Sequence, residues 1–584
     1  MDERVWALHI AFARRREWSR VEYMLPQVLE MLGAMSLVAA GWAALTVVFV
    51  GLGLLVLRLT GATRAAPGRA FWIGLAAAVG VLQMWHLRWP VSPAVPVMLA
   101  CVSALGFAVG GRGLVTGVRG AVRRHRLLLL VAILAAVWLC NRAIGPCRHT
   151  DSGLYHLQVV RWYRSFPTVP GLGNLHYRYA SNNANLLLAA SVEAGPLSGR
   201  SAHVLNSLLI YALLVNGLVG AGRLLSHRRA SRVRGAFDAT LAVMAVQMSN
   251  HWMVSSHSTD VLPAVCCAIA ASQMVALLSG GSRRRDRPGR VVLVVALLAT
   301  AVCGKLTAAP FAVAAAVLLV GWWLKAGRPG GSRTVAIAGA FAAVLPVSWI
   351  LYGLVLSGWA FYPLPVLAAD VDWRIPSDIV SREWDYIAHS GRAFGPLDQR
   401  RSWLELAGRW QRDVLVPAAV AVVAAGMLAV VSLRRRKPRT LRLWLLLIPP
   451  AVGIAAWLMV SPQRRLGFHL VWIFAASLVA MLSAVAWPRP GRRTITVLLV
   501  LWAALAAGNL KKVYTPPVAG GFHAPPSPEL REERTACGVS FGVPEDGFCW
   551  DAPIPCTPRV HPNLRLRKPG DLSAGFRIER TDNP

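Results

Sequence analysis

The densest group of polar side chains in the sequence lies in residues 147–187, CRHTDSGLYHLQVVRWYRSFPTVPGLGNLHYRYASNNANLL. A helix over residues 151–164 would bring four of them onto one face at helical spacing: Asp151, Tyr155, Gln158 and Trp162. Its apolar residues would rest the helix on a membrane surface, with the carboxylate in its first turn. A carboxylate in that place can accept the proton of a hydroxyl group as the hydroxyl attacks a substrate.

Three other segments carry residues suited to an anionic substrate, and each lies at the end of an apolar stretch. They are SSHSTD at 255–260, CGKLTAAP at 303–310 and SPQRRLGF at 461–468, and their candidate side chains are His257, Asp260, Lys305, Arg464 and Arg465. A phosphate ester that leaves in a transfer reaction develops negative charge, which nearby cations stabilise. The four segments therefore predict one cavity, with Asp151 as proton acceptor, His156 beside it and the cations around a phosphate group.

Each candidate also has an ordinary structural interpretation. Asp151 could serve merely as a helix cap. The histidines of the cluster could be solvated or buried for packing: His149, His156 and His176. The cations could anchor helix ends at the level of the lipid headgroups: Lys305, Arg464 and Arg465.

The composition places these segments in a membrane protein. Of 584 residues, 55% are hydrophobic and 15% are charged, whereas a soluble protein has roughly 25% charged residues. Apolar stretches long enough to cross a hydrocarbon core recur along the chain. We count about fourteen: 30–57, 70–86, 92–110, 127–142, 203–222, 236–253, 261–279, 291–304, 308–324, 334–356, 412–433, 443–460, 466–487 and 494–509. The sequence predicts an all-α polytopic membrane protein and excludes a disordered or soluble multidomain chain.

The loops between these stretches alternate in basic residues, and this alternation predicts their sides. Seven loops of one set hold about 30 of the 62 Lys and Arg residues, and such loops stay in the cytoplasm. The net charge of +35 therefore reflects topology and not a patch that binds nucleic acid. We expect a protein of the bacterial inner membrane, with both termini outside the cytoplasm and with membrane lipids as partners.

The first residues conflict with this orientation. Residues 1–29 precede the first apolar stretch and contain four arginines: Arg14, Arg15, Arg16 and Arg20. The segment is either an amphipathic helix at the membrane surface or an upstream extension, in which case translation starts at Met24 or Met31. The apolar stretch that follows is too long for the core of a signal peptide.

Three segments on the predicted outer side are too long to be simple connections: 143–202, 357–411 and 511–584. They contain four of the nine cysteines: Cys147, Cys537, Cys549 and Cys556. In an oxidising compartment four cysteines allow two disulfide bonds. The simplest bond joins Cys549 to Cys556 and closes the loop CWDAPIPC, which leaves Cys147 for Cys537. Alternatively, all four are unpaired; no Cys or His spacing typical of a zinc site occurs.

The arrangement of segments in this chain resembles that of the GT-C superfamily. In both, a basic loop is followed by a membrane span and then by an outer loop with an acidic residue on a surface helix. The members of the superfamily are integral-membrane glycosyltransferases that use polyprenyl-phosphate-linked sugars, and they include protein mannosyltransferases and aminoarabinose transferases. The motif Asp151-Ser-Gly-Leu-Tyr155-His156 is similar to their pattern Asp-(Asp/Glu)-x-x-Tyr/His. The resemblance implies that Asp151 is the catalytic base or its binding partner. It also implies that the loops of Lys305 and Arg464 bind the donor phosphate.

The resemblance further implies a domain organisation and a reaction. Residues 120–510 would form the GT-C-like core, residues 30–119 three additional membrane helices, and residues 511–584 a small extracytoplasmic C-terminal segment. The reaction would transfer a sugar from a polyprenyl-phosphate carrier to a cell-envelope glycan, lipid or protein. Ser152 replaces the second acidic residue of the motif, which leaves the need for a divalent metal open.

Two other functions fit the same topology. The first is a multi-pass transporter or a flippase for lipid-linked glycans, and the second is a non-catalytic protein of envelope assembly. Ion-coupled carriers keep ionisable groups near the middle of the membrane, whereas here the polar residues concentrate outside the apolar stretches. This distribution favours an enzyme. In an assembly protein Asp151 would be dispensable.

Overall fold

The structure is a computed structural model that describes residues 3–61, 66–124, 126–390, 405, 411–434, 441–486, 518–534 and 540–579. Within these ranges the chain is mostly helical, and its sheet is limited to two short antiparallel pairs near the C-terminus. The prediction of a polytopic helical membrane protein is confirmed at this level.

The first eleven helices run to the middle of the chain. They are α1 (Glu3–Leu59), α2 (Pro67–His86), α3 (Ala94–Arg124), α4 (Arg126–Ala143), α5 (Leu157–Ser165), α6 (Leu172–Leu175), α7 (Ala184–Val192), α8 (Ser201–Leu224), α9 (Arg229–Met248), α10 (His251–Val254) and α11 (Val261–Leu278). The second part contains α12 (Arg287–Gly304), α13 (Ala309–Lys325), α14 (Gly331–Ser357), α15 (Ser377–Ser390), α16 (Gln411–Arg434), α17 (Leu441–Trp444), α18 (Ile448–Val460) and α19 (Arg464–Ala486). The strands are β1 (Leu530–Arg534), β2 (Ser540–Pro544), β3 (Leu564–Leu566) and β4 (Phe576–Ile578).

Eleven segments are long and apolar enough to cross a membrane: Met24–Leu59, Ala94–Gly120, Arg126–Ala143, Ser201–Leu224, Val261–Leu278, Arg284–Gly304, Leu306–Lys325, Gly331–Ser357, Asp413–Leu433, Arg442–Val460 and Arg464–Val485. Two more predicted stretches, 70–86 and 236–253, lie on helices that do not meet this criterion, α2 and α9. The predicted stretch 494–509 lies outside the described residues. At the N-terminus, α1 continues from Glu3 into the apolar segment without a break.

The first three long helices pack closely because glycines lie at their contacts. A Cβ atom at Gly74 of α2 would lie 1.6 Å from the carbonyl oxygen of Phe49 in α1. A Cβ atom at Gly106 of α3 would lie 1.8 Å from the carbonyl oxygen of Gly51. Small residues allow this approach between membrane helices, whose association depends on close packing.

The centre of the bundle is α11, in which every residue is buried. It packs against α8, α9, α12, α13 and α19. The basic loops meet at one end of the bundle, where Arg69 pairs with Asp286 at 3.0 Å and Arg229 donates to the carbonyl oxygen of Ala484 at 2.7 Å. We name this the basic end. The opposite end carries the segments 144–200, 249–260, 305–308, 358–376 and 461–463 and is named the site end.

The C-terminal segment packs on the site end. β1 pairs with β2 and β3 with β4, both antiparallel. A disulfide bond joins Cys549 to Cys556 between these two pairs. Cys147 is half-buried, and Cys537, its predicted partner, lies outside the described residues.

Candidate functional site

Asp151 lies in the first turn of a helix that starts irregularly. Directly after it, Ser152–His156 form a π-helical turn, which continues as α5. A π-turn accommodates an extra residue and occurs frequently at functional sites. It also changes the face on which later residues lie, so the predicted common face of residues 151–164 is divided. Asp151 and Tyr155 lie in the cluster described next, whereas Gln158 contacts the C-terminal segment.

Asp151 is held between two arginines. Its Oδ2 accepts a hydrogen bond of 2.7 Å from Nη1 of Arg465, in the first turn of α19. Its Oδ1 lies 3.6 Å from Nη1 of Arg178, and Nε of Arg178 lies 3.6 Å from Oε1 of Glu383 in α15. The side chain of Asp151 is 14% exposed, so this pairing operates in a partly dehydrated environment.

A second ion pair interacts electrostatically with the group around Asp151. Lys305, which directly follows α12, donates to Oδ1 of Asp260, which directly precedes α11. Asp260 is 3% exposed, and its other carboxylate oxygen has no hydrogen-bond partner. Asp260 and Arg465 interact electrostatically, so the two pairs form one cluster. Three cations face three carboxylates in it: Arg178, Lys305, Arg465, Asp151, Asp260 and Glu383.

Burial and charge act in opposite directions on these carboxylates. Burial raises the pKa of Asp151, but the charge and the hydrogen bond of Arg465, together with the electrostatic effects of His156 and His149, lower it by more, so it lies well below the usual range. The same balance, with Lys305 as the cation, lowers the pKa of Asp260. For Glu383 burial outweighs Arg178 and raises the pKa to about 7. At neutral pH the cluster therefore holds two charged carboxylates and one that titrates.

Neutral imidazoles line the cluster. Burial lowers the pKa of His149 to about 4, that of His257 to about 3 and that of His156 well below its usual value. Each ring has a buried nitrogen without a hydrogen-bond partner: Nε2 of His149, Nε2 of His156 and Nδ1 of His257. A neutral imidazole can donate or accept a hydrogen bond, which suits a ligand that carries hydroxyl groups.

Asparagines of the sequence SNNAN fix the loops that carry the second ion pair. Nδ2 of Asn183 donates to the carbonyl oxygen of Gly304, the residue before Lys305, at 2.5 Å. Asn185 donates to the carbonyl oxygen of Ser258 at 3.3 Å, close to Asp260. The chain thereby sets the positions of both partners through backbone contacts. The two amides therefore act by holding Lys305 and Asp260 in position.

Glu193 has a structural place. Its carboxylate accepts hydrogen bonds from the backbone N–H groups of Gly199 and Ser201 and so caps the first turn of α8. The hydroxyl of Ser201 contacts both Glu193 and Nε2 of His257, the latter at 2.8 Å. This chain of contacts orients His257 beside the cluster.

Two of the residues that the sequence placed with Asp151 lie elsewhere: Gln158 and Arg464. Nε2 of Gln158 donates to the carbonyl oxygens of Trp550 and Ala552 at 3.2 and 2.8 Å, so its amide connects α5 to the C-terminal segment. Arg464 lies 3.4 Å from Asp413 of α16, whereas its neighbour Arg465 points to Asp151. Successive residues of a helix face different directions, which separates the two arginines.

The sequence did not identify three residues of the site as candidates: Arg178, Glu383 and His469. Arg178 and Glu383 lie in polar segments without a distinguishing motif. His469 is buried in α19 within electrostatic range of Asp260 and Lys305, and both of its ring nitrogens lack hydrogen-bond partners. The spacing of four residues between Arg465 and His469 was the available signal, because it places both on one helix face.

The disulfide loop of the C-terminal segment covers the π-turn. The backbone N–H of Trp550 donates to the carbonyl oxygen of Gly153 at 2.8 Å, and a Cβ atom at Gly153 would lie 2.6 Å from the indole ring. Arg161 of α5 forms an ion pair with Asp551. The hydroxyl of Tyr179 donates to the carbonyl oxygen of Cys556 at 2.7 Å. The loop thus fixes the backbone next to Asp151.

Within the described ranges no group of three or more His, Cys, Asp or Glu side chains is arranged to hold a metal ion. A family model described as "Domain of unknown function (DUF8201)" matches residues 35–472. No curated protein and no solved structure matches the chain. The match begins inside α1 and ends inside α19. It therefore includes part of α1, all of α2 and α3 and the whole charge cluster, but not the C-terminal segment.

Proposed function

Since the chain belongs to the DUF8201 family, whose description names no activity, we propose its function from the site alone: transfer of a sugar from a polyprenyl-phosphate carrier to an acceptor at the site end. The observation that carries the proposal is the position of Asp151. Its carboxylate lies 2.7 Å from Arg465 and 3.6 Å from Arg178, at the end of an apolar helical bundle. A base, cations for a phosphate and access to lipid are the three requirements of this reaction.

The charges suggest how the donor would activate the site. In the free protein Asp151 is a weak base, because Arg465 stabilises its charged form. A donor phosphate would compete with the carboxylates for Arg465 and Lys305. As the phosphate takes over these cations, the pKa of Asp151 rises and the carboxylate becomes able to accept a proton.

The transfer step then uses Asp151 directly. The acceptor hydroxyl gives its proton to Asp151 while its oxygen forms a bond to the anomeric carbon of the sugar. The bond between that carbon and the phosphate oxygen breaks, and the phosphate leaves with the electron pair. Arg465 and Lys305 stabilise the added charge on the phosphate. Attack on the face opposite the leaving group inverts the configuration of the sugar.

The neutral imidazoles support a sugar as the transferred group. His149, His156 and His257 each offer an unused buried nitrogen near the two ion pairs. A buried polar atom without a partner is unfavourable, so a ligand that supplies hydroxyl groups gains affinity there. The protein would belong to the bacterial inner membrane, with the site end on the outer side.

The proposal is tested with the purified protein in liposomes. Polyprenyl-phosphate-linked hexoses and pentoses with a radiolabelled sugar are added with a cell-envelope extract, and label that leaves the carrier fraction is measured. We expect Asp151→Asn to lower the rate by about 100-fold or more. The control is Asp378→Asn, which removes an exposed carboxylate paired with Arg382. Full activity of a folded Asp151→Asn protein, or no transfer by the wild type, would overturn the proposal.

A further inference from the structure

Four arginines from four helices converge at the basic end, far from the site described above. They are Arg69 of α2, Arg223 of α8, Arg234 of α9 and Arg290 of α12. Arg234 lies within electrostatic range of the other three. Like charges that approach in a partly buried place repel one another strongly, so the arrangement requires compensation.

The compensation is incomplete. Asp238 accepts a hydrogen bond of 2.6 Å from Nη1 of Arg223 and lies 3.4 Å from Nε of Arg234, so one carboxylate serves two arginines. Asp286 forms an ion pair with Arg69 at 3.0 Å. In the described part of the chain, two carboxylates thus oppose four guanidinium groups.

Among the described residues, Arg290 is the one member of the four that forms no ion pair with a carboxylate, although Asp286 and Asp238 act on it electrostatically. Its Nη1 donates to the neutral amide oxygen of Gln273 in α11, and its Nε is buried without a hydrogen-bond partner. Arg234 likewise uses a neutral group, since its Nε and Nη2 each lie 3.3 Å from the hydroxyl of Ser272. Neutral acceptors orient a guanidinium group but do not balance its charge.

We propose that this arginine cluster binds a phosphate group. Guanidinium groups present paired N–H donors that match phosphate oxygens, and a phosphate supplies the missing negative charge. The cluster opens toward its surroundings at Arg223 and Asp286, whose side chains are 30% and 23% exposed, whereas Asp238 is fully buried. The phosphate comes either from an anionic phospholipid headgroup at the membrane surface or from a soluble phosphate compound.

The experiment compares melting temperatures of the full chain in nanodiscs. One set contains phosphatidylcholine alone, the second contains phosphatidylcholine with phosphatidylglycerol, and the third adds inorganic phosphate to the first. A ligand that binds only the folded protein raises the melting temperature. We expect the melting temperature to rise by several degrees with phosphatidylglycerol, with inorganic phosphate or with both. A rise only with phosphatidylglycerol identifies the lipid as the source of the phosphate. An equal rise with inorganic phosphate identifies a soluble compound as the source.

Three variants make the test specific. Arg290→Gln should abolish the rise, and Asp286→Asn should enlarge it because Arg69 becomes free for the phosphate. Arg284→Gln removes an exposed arginine from the short turn that contains Asp286, and it should leave the rise unchanged. Each rise is measured against the same variant in phosphatidylcholine, so a less stable variant still reports it. No rise in the wild type, or equal rises in wild type and Arg290→Gln, would overturn the proposal.

Discussion

Arg465 donates a hydrogen bond of 2.7 Å to Asp151, although 314 residues separate them in the sequence. The bond joins the residue directly before the π-turn to the first turn of α19. It keeps the carboxylate charged and in a fixed place before any ligand binds. The same bond makes the carboxylate a weak base, so occupation of Arg465 by an anion is the event that would change its chemistry.

The first prediction concerns this pair. Arg465→Gln leaves a largely buried carboxylate with a weaker partner, and we expect a loss of about 3 kcal/mol in stability and of about 100-fold in sugar transfer. Thermal melting and initial rates measure the two effects. Arg464→Gln is the matched control, because Arg464 is 44% exposed and lies beside Asp413. Equal losses in the two variants would contradict a specific role for Arg465.

The pH dependence of that pair follows from the direction of the pKa shift. Because the pKa of Asp151 is lowered in the folded protein, the pair stabilises the fold above the unfolded-state pKa, about 4. This stabilisation is lost as the pH falls through the lower folded-state pKa. Melting temperatures in acid should therefore decrease more steeply for the wild type than for Asp151→Asn. Parallel curves would show that the pair does not contribute.

Glu383 predicts the opposite pH dependence. Burial raises its pKa from 4.5 to about 7, so the folded protein retains a proton that the unfolded chain releases. The contribution is fully present below pH 4.5 and is lost as the pH rises to about 7. It amounts to about 3 kcal/mol. Glu383→Gln should make the melting temperature less dependent on pH in this interval, and an unchanged slope would refute the assignment.

The disulfide loop should affect activity through the position of Asp151. Trp550→Ala removes the indole ring that lies against Gly153, so the π-turn loses its cover and the transfer rate should fall by about 10-fold. Phe548→Ala is the control, since Phe548 directly precedes the disulfide loop and lies 6.0 Å from Trp550 between ring centroids. A matched loss in both variants would indicate a general effect on the C-terminal segment and not on the turn.

Hydropathy and basic residues carried enough information for the class of protein and for the two sets of loops. Eleven of the fourteen predicted stretches coincide with described segments that are long and apolar enough to cross a membrane, and α9 shows why one of the others does not. Its first turns contain Arg229, Arg232 and Arg234. Two of these form polar contacts with neighbouring helices: Arg229 donates to the carbonyl oxygen of Ala484 in α19, and Arg234 donates to the hydroxyl of Ser272 in α11. Hydropathy measures a segment against lipid, and it does not detect polar contacts between helices.

Part of the site was also predictable, and part was not. Asp151, Asp260, Lys305 and Arg465 lie at helix ends of one side, where alternation of the loops brings them together. Gln158 was placed on the wrong face because a π-turn is invisible to a periodicity of 3.6 residues. Its contacts with the C-terminal segment also depend on a tertiary arrangement between distant residues.

The last prediction concerns the close contact of α1 and α2. Gly74→Val places a branched side chain where a Cβ atom alone would lie 1.6 Å from the carbonyl oxygen of Phe49, so the helices must separate. We expect a lower melting temperature and less folded protein in the membrane fraction. Gly339→Val in α14 is the control, since nothing lies within 4 Å of a Cβ atom there. Because α2 also packs against α12, which ends at Gly304 just before Lys305, Gly74→Val should in addition reduce sugar transfer. Normal melting of the Gly74→Val protein would show that α1 and α2 do not pack as described.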